Sequence, residues 1–263
     1  MNPRVSSSDL AGRPYWDAVW RRSGGRPAGR FGYSHHAFAR VFLACARPGT
    51  AVCEVGCADS VWVPFLIEHG YSVSGIDYSE RGIERLRQTL REKGLHAELV
   101  LGDLFDPASM PRARYDFVFS LGLVEHFTDG VGVVRALADL LKPGGTLLTV
   151  VPNLSGTWGS IQKRLDRAVY DVHLRYAPTT LDGLHRDSGM DIVEPARYFG
   201  GFGPLVMNAP KVADAYPRLH HVAVAGLWMV QQAIAWPAGL VLGRYSESRL
   251  VSSHILGLYR RRE

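Results

Sequence analysis

The stretch from Ala51 to Ser60, AVCEVGCADS, places one glycine, Gly56, at the end of a β-branched run and follows it with the small residues Cys57, Ala58 and Ser60. Residues this small let backbone N–H groups approach a ligand closely, although each Cβ narrows the turn geometries that glycine would allow. A dinucleotide fingerprint requires G-x-G-x-x-G, and counted from Gly56 the later positions hold Ala58 and Val61. A nicotinamide dinucleotide therefore loses two of its three glycines. Further on, Asp77 and Asp103 close successive apolar runs, in VSGID and LVLGD, and Glu125-His126 follow the run YDFVFSLGLV. Carboxylates accept hydrogen bonds from hydroxyls and amines, and an imidazole takes a proton near neutral pH. These groups can hold a polar cofactor and move a proton if the fold gathers them.

The elements between them suggest how. From about residue 48 short β-branched runs alternate with amphipathic stretches, the pattern of βαβ units and a largely parallel sheet. TAVCEVG, YSVSGID, AELVLGD, YDFVFSLG and GTLLTVVPN read as five strands, and DIVEPARYF and HILGLYRRR as two more. VWVPFLIEHG reads as a helix with Pro64 in its first turns, and SERGIERLRQTLREKG as another whose Ile83, Leu86 and Leu90 share a face. The expected fold is α/β, a Rossmann-like seven-stranded, mostly parallel sheet with helices on both faces. Residues 1–47 form an N-terminal helical cap, and residues 48–263 form the main domain with an insertion at about 200–250 before the last strand. Open parallel sheets bind ligands beyond the carboxyl ends of their strands, which is where the loop after Gly56 and the two aspartates fall.

Composition narrows the function. The 263 residues are 46% hydrophobic, enough for a sizeable core, and the formal charge of +5 comes from scattered arginines rather than a basic stripe. Nucleic acid is accordingly not an expected partner. Cys45, Cys53 and Cys57 have no paired metal-ligand spacing and leave one over from any disulfide, which fits a reducing, cytoplasmic location. The N-terminus shows no signal-peptide pattern. Val222–Leu242 approaches the length of a membrane span, but Gln231, Gln232 and Pro237 interrupt it, so a buried helix or a cap over the pocket is expected rather than stable insertion, with a surface-lying lipid contact as the alternative.

The series AVCEVGCADS, GIDYS, GDLFD, YDFVFSLGLVEHF and LKPGGTLLTVVPN, in that order over residues 51–153, resembles the class I S-adenosylmethionine-dependent methyltransferases, of the small-molecule type. Their first loop reads E/D-x-G-x-G-x-G; this chain keeps Glu54 and Gly56 and substitutes Ala58 and Ser60. The resemblance implies S-adenosylmethionine as cofactor. Asp77 would accept from both ribose hydroxyls and Tyr78 lie against adenine. Asp103 would accept from the adenine amino group, with the Leu104 N–H facing the ring. Gly56, Glu54 and the Leu121 carbonyl would serve the methionine moiety, and Tyr33 its carboxylate.

The segment after the fourth strand faces the transferred methyl in this fold. Some relatives carry E-x-x-E-H there and hold a divalent metal with it; Gly122 stands where the first glutamate belongs, so no metal is expected. In the phosphoethanolamine methyltransferases, which this stretch is also similar to, a histidine here works with an N-terminal tyrosine. His126 and Tyr15 would be the catalytic pair, with His126 titrating near neutrality. Tyr15, Trp16, Trp20, Phe31, Trp158 and Trp228 lie in segments expected to roof the site and favour a flat, apolar acceptor. The expected reaction is C-, N- or O-methylation of an aromatic small molecule, such as an indole-bearing natural product. RNA, protein or lipid methylation, or a non-catalytic cofactor-binding module, are the alternatives, and a homodimer is compatible with the sequence.

Overall fold

Alternation of side chains along the central strands sends successive residues to opposite faces, and each face meets its own helices. In β1 (Ala51–Val55) Val52 faces one core while Cys53 and Val55 face the other. In β4 (Tyr115–Leu121) Phe117 and Phe119 join the first and Val118 the second, as does Tyr115, which an irregularity between Tyr115 and Phe117 takes out of the alternation. The computed structural model describes residues 9–22, 32–204 and 210–263; Phe31 and parts of the expected cap and insertion lie outside them.

With β2 (Ser72–Asp77), β3 (Glu98–Leu101), β5 (Leu141–Pro152), β6 (Met190–Phe202) and β7 (Ser252–Arg261), the sheet has seven strands in the order β3-β2-β1-β4-β5-β7-β6. The pairs among β1 to β5 are parallel, and β7 runs antiparallel to both β5 and β6. Strand order reverses between β1 and β4, opening a crevice at their carboxyl ends. The seven-stranded, helix-covered α/β fold read from the sequence is the one observed.

One face is covered by α2 (Tyr33–Cys45), α3 (Trp62–Glu68) and α4 (Glu80–Lys93), through Phe42, Trp62, Leu66, Ile83 and Leu86. The other is covered by α5 (Gly130–Leu140) and α8 (Pro178–Asp187), through Val133, Leu137, Leu140 and Leu181. Local sequence sets these boundaries. Ser79 Oγ accepts from the Gly82 N–H at the start of α4, and Gly94 ends it at φ 65°, a conformation glycine adopts without steric cost. Asp9 caps α1 (Gly12–Arg22) by accepting from the N–H groups of Ala11 and Gly12, both at 2.9 Å. Two short helices, α6 (Thr157–Leu165) and α7 (Arg167–Asp171), follow β5. All three cysteines are free thiols, and burial pushes Cys45 up to about 12.

Between β6 and β7 the insertion forms α9 (Pro210–Ala215) and α10 (Pro217–Leu242). The segment is neither the buried helix nor the cap over the crevice that the sequence suggests. Only Gln231 and Ala235 of α10 are buried, and no α10 residue lines the crevice. It is held to α2 by two glutamine hydrogen bonds, Gln232 accepting from the Tyr33 N–H at 2.6 Å and Gln231 donating to Ser34 Oγ at 3.3 Å, and by ring packing of Trp236, while many of its apolar side chains face solvent. By length and composition α10 is long and apolar enough to cross a membrane.

Candidate active site

A cleft of about 490 Å³ opens at the strand-order reversal. Glu54, Gly56, Asp77, Tyr78, Asp103, Leu104, Leu121 and His126 all stand in its wall. Tyr15 and Tyr33 do not. On α1, Trp16 and Trp20 are one turn apart and both face the cleft, stacked with ring centroids 6.0 Å apart, so Tyr15, about 100° round the helix from Trp16, is carried to the side. Its phenol is pushed up by burial and by Asp166. Tyr33, the first residue of α2, packs against Trp236 of α10 at 5.6 Å and borders a second cavity. Trp158, whose indole N–H donates to the Val251 carbonyl at 2.7 Å, and Trp228 also stand outside the cleft wall.

The loop after β1 holds its shape by means the sequence only partly displays. Gly56 has φ 80° and Asp59 φ 52°. Ser60 Oγ donates to Glu54 Oε2 and accepts from the N–H groups of Trp62 at 2.9 Å and Val63 at 3.2 Å, tying the carboxylate to the first turn of α3. The residue that replaces a motif glycine thus positions Glu54. The other replacement, Ala58, lies against Gly82 of α4, where any larger residue would overlap its methyl group.

Asp77 is held from both sides, Oδ2 accepting from the Ala58 N–H at 3.0 Å and Oδ1 from the Ser79 N–H at 2.8 Å. The residue lines the cleft. Tyr78 Oη donates to Asp9 Oδ2 at 3.0 Å, and the Arg13 guanidinium lies 5.5 Å from the centre of its ring, fixing the ring as a wall. Asp103 Oδ1 accepts from the Phe105 N–H at 3.0 Å, which shapes the turn after β3 and leaves its other oxygen available.

The cleft wall carries six carboxyl groups, Asp9, Glu54, Asp59, Asp77, Asp103 and Glu125, and no Lys or Arg among the described residues. Asp59 has its cation outside the wall, Arg85 at 3.1 Å. Burial pushes Glu54 up to about 8, against the Ser60 hydrogen bond and with help from Asp77. Burial likewise raises Asp77 to about 6, although backbone N–H donors oppose it. A buried acidic site without a resident cation favours a positively charged ligand and opposes a doubly anionic pyrophosphate. S-adenosylmethionine, with a sulfonium, an ammonium and one carboxylate, fits this charge pattern; a nicotinamide dinucleotide does not.

Opposite lie Glu125, His126 and His173. His126 and Glu125 are buried, with Nε2 3.9 Å from Oε1. Trp16 meets the His126 ring edge-on at 4.9 Å and His173 lies 4.3 Å from it. Each imidazole uses Nδ1 on a carbonyl, His126 on Val172 at 2.8 Å and His173 on Val169 at 2.6 Å, so both Nδ1 atoms act as donors and both Nε2 lone pairs remain. Burial, then the neighbouring His173, lowers His126 to about 3 rather than leaving it near neutrality. Burial raises Glu125 to about 8, and its Oε2 has no hydrogen-bond partner. The ligand atoms of the three residues lie within 4.8 Å of one another, a carboxylate-and-two-imidazole set that can admit a divalent ion. His173 is not among the candidate residues read from the sequence. Its position 47 residues beyond His126 gave no local signal.

Comparison with known proteins agrees with this geometry. The family described as a methyltransferase domain matches residues 52–145. A ubiquinone biosynthesis O-methyltransferase of Thiobacillus denitrificans is 30% identical over 154 residues, 56% of this chain and 66% of that one. This chain spans about two thirds of the length of relatives so named, 66%, 67% and 64% in three of them. Among solved structures, a SAM-dependent methyltransferase from Archaeoglobus fulgidus superposes with a TM-score of 0.56 at 15% identity, over 86% of this chain and 92% of that one. Phosphoethanolamine N-methyltransferase 2 of Haemonchus contortus, in complex with S-adenosyl-L-methionine, gives 0.59 at 15% identity over 97% and 59%. Motif series, sheet order, acidic cleft and sequence relatives converge: the chain belongs to the class I S-adenosylmethionine-dependent methyltransferases.

Proposed function

We propose that this protein methylates a flat, largely apolar aromatic small molecule, at a phenolic oxygen in the first instance. The observation that carries the reading is the division of the cleft into an acidic end free of lysine and arginine and an end where His126 and Glu125 stand beside Trp16. The name of the sequence relatives, ubiquinone biosynthesis O-methyltransferases, favours oxygen over carbon or nitrogen.

In the cofactor half, Asp77 accepts from the ribose hydroxyls, Asp103 and the Leu104 N–H address the adenine edge, and Tyr78 forms the ring's wall. Gly56, Glu54 and the Leu121 carbonyl take the amino-acid end. When bound, the cofactor supplies an electrophilic methyl group. In the acceptor half, Trp16 and Phe127 bound an aromatic ring, and the unpartnered Glu125 Oε2 is placed for a polar substituent. His126 Nε2 takes the hydroxyl proton. At about 3 it is too weak a base to ionise a free phenol. A hydroxyl oxygen that attacks as the neutral group becomes strongly acidic as it gains the methyl, so the proton moves to His126 during or after that event. Much of the acceleration then comes from alignment of the reacting atoms.

The test is a panel of phenols, indoles and amines incubated with cofactor labelled in the methyl group, read by mass spectrometry. Labelled phenol ethers are expected. Transfer only to RNA, protein or lipid, or no transfer by a protein that binds the cofactor, would displace the proposal.

A further inference from the structure

We propose that α10 docks this protein on an anionic bilayer, lying flat in the headgroup region. The helix has the polarity of a soluble protein's helix turned inside out. Its inward face presents Gln231 and Gln232 to α2, while Leu219, Val222, Met229, Val230, Ile234, Leu240 and Val241 face solvent, the last two each 81% exposed. At about 100° per residue these seven span an arc of roughly 140°, extended to about 160° by Trp236, along a rod about 39 Å long, with the exposed Val224 and Leu242 outside it. A helix pairing with one partner helix uses a narrower stripe, whereas an interfacial helix buries one whole side.

The charge of the segment matches an anionic surface. Residues 215–246 contain no Asp or Glu but include Arg218, His220, His221 and Arg244. Beyond Trp236 and Leu240 the apolar surface continues across a cavity of about 520 Å³ to the exposed Leu43, with Arg40 beside it. Asp214 of α9 stands just before this segment and Glu247 just after it; Glu247 faces Arg197, and Asp166 faces Lys211 of α9.

Topology decides between lying on the bilayer and crossing it. Both ends of the insertion return to one sheet, where Phe202 of β6 pairs with Ser252 of β7. Nine residues separate the end of α10 from β7, and four of them, Gly243–Ser246, form a tight helical turn. They cannot recross a hydrocarbon core about 30 Å thick. The hydrogen bonds of Gln231 and Gln232 also hold the middle of α10 on the protein.

Flotation of the full chain with vesicles of phosphatidylcholine alone, and of equimolar phosphatidylcholine and phosphatidylglycerol, tests the proposal. The protein should float with the mixed vesicles, far less with neutral ones, and lose binding in high salt. Leu240→Glu and Val241→Glu, at exposed positions, should each lower the vesicle partition about tenfold while leaving cofactor binding unchanged. Wild-type protein that stays unbound with both vesicle types, or glutamate variants that float as well as wild type, would overturn it. So would a dimer that the glutamate substitutions dissociate in the absence of vesicle binding, since the face would then belong to a second copy. None of these readouts depends on the methyl acceptor.

Discussion

The two halves of the cleft are built by different means. The cofactor half is assembled from residues that end consecutive strands, Gly56 after β1, Asp77 at the end of β2 and Asp103 after β3, each within a few residues of the sheet that positions it. The acceptor half takes Trp16 from α1, Glu125 and His126 from the turn after β4, and His173 from beyond α7. A half built from strand ends is fixed by the sheet. A half built from distant segments is free to vary with the acceptor, so the two should respond differently to substitution.

The largest separation is expected from His126→Ala. Removal of a proton acceptor at the reacting atom typically costs 10²–10⁴-fold, so kcat should fall by about that range. The dissociation constant of the cofactor should stay within about threefold, because His126 makes none of the proposed cofactor contacts. Single-turnover kinetics and calorimetry on the same preparation read both quantities. A near-normal kcat would reduce the acceptor half to alignment alone. Wild-type kcat should also show no acidic limb between about pH 5 and 8, since burial keeps His126 neutral throughout that range.

Asp77→Ala is the converse. Two charge-assisted hydrogen bonds to the ribose amount to about 3 kcal/mol, or roughly a hundredfold in affinity, before water compensates. The same carboxylate also holds the N–H groups of Ala58 and Ser79, so thermal unfolding must confirm that the variant is folded. Unchanged affinity in a folded variant would remove Asp77 from the ribose.

What could be read in the sequence follows the same division. Strand ends are local features, so a short β-branched run closed by Asp announces both the strand and the position of its carboxylate. Ser60 and Ala58 were read as lost glycines, because their compensation lies elsewhere: the Glu54 carboxylate for one and Gly82 on the neighbouring helix for the other. Tyr15 enters only through the family resemblance, whereas the phase of the eleven-residue helix, set by what it packs on, turns Trp16 to the cleft; one position turns a side chain about 100°. His173 becomes a neighbour of His126 only through the path of α6 and α7. The sequence leaves the direction of α10's apolar face open for a related reason, since an apolar run is the same whether it faces a core or a bilayer.

A smaller effect tests the charge of the cofactor half. Asp77 and Glu54 have folded-state pKa values raised to about 6 and about 8, so the free protein retains protons there that ordinary carboxyls would have released. A cationic ligand favours the ionised forms. Cofactor affinity should therefore rise as pH increases from about 6 to 8, by about tenfold, with protons released on binding. Calorimetry in buffers of different ionisation enthalpy measures that release. Proton uptake, or affinity that falls with rising pH, would contradict the acidic-cleft argument.

The smallest expected effect is that of chelation on the acceptor half. Gly122 offers no side-chain ligand beside Glu125, and Glu125, pushed up to about 8 by burial, is neutral at pH 7. His126 and His173, both lowered, are neutral as well, with Nδ1 donated to backbone carbonyls, so the trio is electrically balanced without an ion. Ligand atoms spread over as much as 4.8 Å would also have to draw together, because a tetrahedral ion at about 2.1 Å from each places them about 3.4 Å apart. We therefore propose that the metal is dispensable and that kcat is unchanged after dialysis against EDTA. Loss of turnover restored by zinc or magnesium, and absent from a His173→Ala variant, would instead make these three residues a metal centre. The acceptor half would then bind its substituent through the ion, and the drop in His126→Ala would report a lost ligand rather than a lost base.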